Sequence, residues 1–187
     1  MKKKLLCALL ALFSLNCVNA QVISKGDRII TAGIGFGSYL GGRDYSITVS
    51  PIGASFEYCV IDNLFDENSA IGVGGYLGYT AKKWSNRMDV EEAEAMEVKY
   101  TYTSIAAKGY FHYNFVPDLD TYGGLALGYN IVGRKATPSD YLHSTSSSGV
   151  GFSLFVGARY YFSSSIGAYA EIGYGIAALE LGLSIKL

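Results

Sequence analysis

Apolar residues fall at every second position along almost the whole chain beyond residue 20, and that alternation limits its fold more than any other feature. A period of two sends successive side chains to opposite faces of an extended strand, whereas a helix repeats every three to four residues. Eight runs of this kind follow one another: Arg28 to Tyr39, Ser46 to Val60, Ser69 to Ala81, Lys99 to Phe115, Thr121 to Gly133, Val150 to Phe162, Ile166 to Gly175 and Leu179 to Leu187. In the last, Leu179, Leu181, Leu183, Ile185 and Leu187 alternate with Glu180, Gly182, Ser184 and Lys186. Ile47 and Val49 lie on the opposite parity to Ile52, Ala54, Phe56 and Tyr58, so a bulge is expected near Pro51. Phe155 stands as an exception on the polar face of its run.

The connections alternate as well. Leu40 to Tyr45, Lys82 to Val98 and Arg134 to Gly149 read as polar loops, with shorter links between them and helical capacity over Val90 to Met96. Eight strands with alternating long and short connections predict an antiparallel up-and-down barrel. Such a barrel has two polarities, and charge decides between them. Only 17% of residues are charged, against roughly 25% in soluble domains. A soluble, lipocalin-like binding barrel would carry many charges on its large outer face. Here the polar faces hold mostly Gly, Ser and Tyr, with Glu57, Lys108, Arg159, Glu171, Glu180 and Lys186 as the charged positions. Small residues and balanced charges suit a narrow interior, so the apolar faces are expected to meet lipid. Tyr58, Tyr79, Tyr113, Phe115, Tyr160, Phe162 and Tyr174 near the run ends suit interfacial girdles. Abundant aromatic residues exclude disorder, the lack of a basic excess argues against nucleic acid, and no long apolar helix follows residue 20.

Residues 1–20 read as a cleaved signal peptide: Lys2, Lys3 and Lys4, an apolar stretch from Leu5 to Leu15, then small residues at Val18 and Ala20. A lipoprotein signal ending at Cys17 would want a small residue where Asn16 stands. The domain is then 21–187, and Cys59 is its single cysteine, which excludes an intrachain disulfide.

Glu180 to Leu187 also carries a resemblance. Its order of polar residue, Gly182 and spaced hydrophobic residues ending at Leu187 is similar to the C-terminal signal of the small eight-stranded outer-membrane β-barrels, the OmpA/OmpX-like family of the porin superfamily in Gram-negative bacteria. Members usually end on an aromatic residue, and Leu187 departs from that. The resemblance implies an outer-membrane barrel surrounded by outer-membrane lipids, with both termini periplasmic. It also implies recognition by the barrel-assembly machinery through the last strand. No peptidoglycan-binding domain is expected after the eighth run.

Chemistry is sparse. Gly33, Gly35 and Gly37 resemble a phosphate loop only superficially, because their spacing is strand alternation with no helix following. Arg159 and Glu171 flank one short turn and should be opposite or one diagonal step apart, both facing inward. A lumenal ion-pair network of Lys108, Arg159, Glu171, Glu180 and Lys186 is therefore expected, since unpaired buried charge is costly. An eight-stranded barrel is just filled by its side chains, so an open pore is not expected. His112 should face the lumen and His143 a loop; neither forms a Ser–His–acid cluster, and two dispersed histidines give no metal spacing. No catalytic residue, cofactor or metal is assigned. The expectation is a non-enzymatic barrel with a structural or surface-interaction role, its loops the place for an extracellular ligand. A narrow channel gated by Arg159 and Glu171, and a lipid-modifying enzyme using His112 or His143, are the alternatives.

Overall fold

The computed structural model describes residues 22–40, 46–86, 96–137 and 148–187. The signal segment, His143 and all of the helix read over Val90 to Met96 except its last residue lie outside the described residues, and Met96 opens a strand.

Among the described residues the chain forms β1 (Arg28–Phe36), β2 (Ser46–Asp62), β3 (Ser69–Asn86), β4 (Met96–Val116), β5 (Leu119–Thr137), β6 (Gly149–Tyr161), β7 (Ile166–Gly173) and β8 (Leu179–Lys186). Each strand pairs antiparallel with the next, and β1 pairs with β8 to close the barrel. Closure removes the two unpaired edges an open sheet would expose. The alternation sets the polarity. Ile34, Leu77, Leu127, Phe152 and Leu183 point outward and are more than half exposed, whereas Glu57, His112, Asp120 and Arg159 point inward and are at most 1% exposed. An apolar exterior around a buried polar interior inverts a soluble barrel, so the lipocalin-like alternative does not hold.

The expected bulge is present: the β2–β3 register shifts between Ile47 and Val49 and again between Val49 and Ile52. Pro51, lacking an N–H, sits within this irregular stretch. Thr80 donates its hydroxyl to the Val49 carbonyl at 2.9 Å, satisfying a group the broken ladder would strand. β1 ends earlier than its run, at Phe36, because Gly37 takes a positive φ of 66° that turns the chain.

The loops read over Lys82 to Val98 and Arg134 to Gly149 are shorter than expected. Residues 82–86 extend β3, 96–98 open β4 and 134–137 extend β5, so these strands run to 18, 21 and 19 residues while β7 and β8 have 8 each. The barrel is tall on the β3–β5 side and low on the β7–β8 side. The extensions looked like loop because their outward residues are charged, as strands standing clear of an apolar medium can be.

At the opposite end, where the C-terminus lies, residues 22–27 fold back across the mouth. Val22 and Ile23 pack against Ile29, Cys59, Ala70 and Tyr161, and Ile23 is fully buried. The plug is tied by the Gly26 N–H to the Cys59 carbonyl at 3.0 Å, the Cys59 N–H to the Asp27 carbonyl at 2.9 Å, and Lys186 Nζ to the Val22 carbonyl at 2.8 Å.

Candidate functional site

The lumen gathers the titratable side chains, in two tiers. In the lower tier, above the plug, β6 delivers Arg159, β2 Glu57, β4 His112 and β5 Asp120. Arg159 donates to Glu57 Oε2 at 2.6 Å and to Asp120 Oδ2 at 3.1 Å. His112 Nδ1 lies 2.9 Å from Asp120 Oδ1. Its Nε2 lies 2.6 Å from Glu57 Oε1, off the hydrogen-bond direction, so that contact is chiefly Coulombic. Two carboxylates and two bases thus form a closed ring across the lumen. With His112 as imidazolium the ring balances, two charges of each sign, which is how four groups this deep avoid uncompensated burial. The Tyr122 ring lies 4.2 Å from the Arg159 guanidinium carbon, and Gly157 makes room for that ring, since a Cβ there would fall 2.6 Å from it.

The upper tier is looser. Lys108 Nζ donates to both Glu171 oxygens, at 2.8 and 3.0 Å. Tyr122 donates to Glu171 Oε2 at 3.1 Å. The Lys108 ammonium sits 3.8 Å from the centre of the Phe155 ring, which explains the apparent exception in the β6 run: Phe155 faces inward and is 4% exposed. Glu180 accepts from Tyr76 at 2.9 Å and from Tyr169. Above lies a cavity of about 300 Å³ with Lys108, Glu171, Glu180, Tyr76, Ser104 and Asn130 among its lining residues.

Of the five residues expected to form one network, the structure joins only Lys108 and Glu171 by an ion pair. Arg159 and Glu171 do stand one diagonal step apart, since Arg159 is opposite Tyr169 and Gly157 opposite Glu171. Their side chains part, Arg159 downward to Glu57 and Asp120 and Glu171 upward to Lys108. Glu180 meets phenols rather than a cation, and Lys186 meets a backbone carbonyl. Asp120 lies just ahead of the run that starts at Thr121, but β5 begins at Leu119 and takes it in. Strand parity places Glu57 and His112 inward, as expected, but only closure brings them to Arg159. Among the described residues no group of three or more His, Cys, Asp or Glu side chains is arranged to hold a metal ion.

Residues 5–181 match the family model of the outer membrane protein beta-barrel domain. The chain belongs to that family. No curated protein sequence matches it. Among solved structures, the N-terminal barrel domain of Pseudomonas aeruginosa OprF is 15% identical, with a TM-score of 0.50, covering 88% of this chain and 98% of that one. Ail of Yersinia pestis is 16% identical with a TM-score of 0.47, over 87% and 96% of the two chains. A de novo designed transmembrane β-barrel is 14% identical with a TM-score of 0.48, over 88% and 98%. At these identities the likeness to OprF speaks for the fold alone. Family and inverted polarity together make this an outer-membrane protein. In barrels of this kind the short turns face the periplasm, so the plug and the ring lie at the periplasmic end and the tall β3–β5 wall rises at the cell surface.

Proposed function

We propose that this outer-membrane β-barrel is non-enzymatic and sealed, and that it serves the envelope as a structural or surface-interaction element through its extracellular end. The observation that carries the reading is the ring of Glu57, Arg159, Asp120 and His112. Its charges answer one another across the lumen, which supports a filled interior whose titratable groups are engaged with each other. His112 has a carboxylate oxygen against each ring nitrogen and is fully buried, which suits a brace and not a general base. Glu171 and Lys108, which line the cavity, likewise hold each other. The tall wall and the connections above it then supply the surface that can meet partners.

Two measurements test this on the mature chain. Reconstituted in planar bilayers, it should show no steady conductance, and Glu171→Gln should not create one; sustained single-channel steps that change with Glu171→Gln would replace this reading with a gated channel. Cells lacking the protein should have an unchanged lipid A and phospholipid acylation profile. A lipid species that disappears with the protein and with His112→Ala would make it an enzyme.

A further inference from the structure

On the outer face of the tall wall, three lysines occupy one cross-strand row. Lys83 of β3 is directly opposite Lys99 of β4, and Lys99 directly opposite Lys135 of β5. Like charges in direct cross-strand opposition destabilise a sheet, so such a row needs counter-charge. Glu97 supplies part of it by pairing with Lys83. Among the described residues neither Lys99 nor Lys135 has an ion-pair partner, and both are exposed. The row's height is fixed by the strands. Below it lie the Ala81–Thr101–Gly133 row and then the Tyr79–Thr103–Ile131 row, where the outward apolar surface of these strands ends. Four residues of strand rise about 13 Å, or about 10 Å along the bilayer normal at a tilt of roughly 40°. The headgroup layer adds about 5–8 Å on each side of the hydrocarbon, so the backbone of this row stands at the outer edge of that layer. The lysines point outward, toward lipid, rather than up toward the medium, and their flexible stems let the ammonium groups settle at the polar boundary.

We propose that Lys83, Lys99 and Lys135 form a binding site for the phosphate groups of outer-leaflet lipids, which complete the counter-charge that Glu97 begins. The outward orientation favours a lipid headgroup over a soluble polyanion. Recognition is electrostatic: each lysine near a charged membrane surface contributes about fivefold in local concentration of an anionic lipid.

The chain's single tryptophan, Trp84, adjoins Lys83 and reports on this site. The full mature protein is folded into phosphatidylcholine vesicles containing a small fraction of phosphatidic acid with a fluorescent energy acceptor on its acyl chain. Transfer from Trp84 should exceed that to equally labelled phosphatidylcholine by at least about fivefold, fall with added salt, and drop to the phosphatidylcholine level in the K83Q/K99Q/K135Q variant. K99Q alone, the milder change, should fall between. Heat-modifiable mobility confirms that each variant is folded. Equal transfer to both lipids overturns the proposal. So does loss of the signal with millimolar inorganic phosphate, which would make the row a site for the free anion. Lysine-dependent binding of a soluble sulfated polysaccharide that displaces the lipid would assign the row to an extracellular polyanion instead. Enrichment that emerges only after Glu91, Glu92 and Glu94 are changed to Gln would mean that the chain's own carboxylates fill the site, and would also overturn it.

Discussion

The two tiers of the lumen solve the same problem differently. Below, Arg159 is shared by two carboxylates that also hold His112, and all four groups are at most 1% exposed. Above, Lys108 and Glu171 form one pair beside a cavity of about 300 Å³, and the Glu171 side chain keeps 15% of its exposure. The lower tier is closed over by the plug; the upper tier has space where polarity permits water. The difference teaches that the cost of removing one charge in a narrow barrel grows with how completely its partners are enclosed, since a group near water can recover solvation that one in a dry ring cannot.

The largest effect should therefore come from Arg159→Met. It strands Glu57 and Asp120 with only His112 between them, at a cost of about 3–5 kcal/mol. Urea unfolding in vesicles should show that loss, or the variant should fail to give a heat-resistant band; an unchanged midpoint would break the comparison. Lys108→Met removes the partner of Glu171, but the adjoining cavity has room to admit water and the Tyr122 hydroxyl remains, so about 1–2 kcal/mol is expected from the same titration. The variant should stay non-conducting because the ring beneath it is intact, and conductance in it would mean that the upper pair, not the ring, seals the barrel. Lys186→Met costs least, about 1 kcal/mol, because it removes one hydrogen bond to the Val22 carbonyl. Its sharper readout is hydrogen exchange at the plug: Gly26 and Cys59 amides should exchange faster while those of β4 and β5 do not.

Most of the fold was legible because parity is local. Each strand announces itself by its own alternation, and even the bulge at Pro51 showed as a slipped phase. The site was less legible because pairing inside a barrel depends on height and on which strands face each other across the lumen. Arg159 and Glu171 are near in sequence and a diagonal step apart in register, yet rotamer direction sends them to different tiers. Glu57 lies 102 residues from Arg159 and still bonds to it. Asp120 was hidden by a strand boundary misplaced by two residues. The polar extensions of β3 and β5 were missed because alternation was sought in apolar residues, and beyond the membrane a strand need not have any.

The ring has a consequence for the order in which the barrel assembles. Glu57 and Arg159 stand on β2 and β6, four strands apart in the sheet, a separation of about 19 Å if the sheet were flat. They can bond only after the sheet has curled and its far sides have come face to face. The ring is thus a late event, absent from any open intermediate. Its loss should leave the rate of folding nearly unchanged and appear as faster unfolding, the signature of an interaction formed after the rate-limiting barrier. The same four side chains that fill the lumen act in time as a latch, set once the wall has closed and governing how long it stays so.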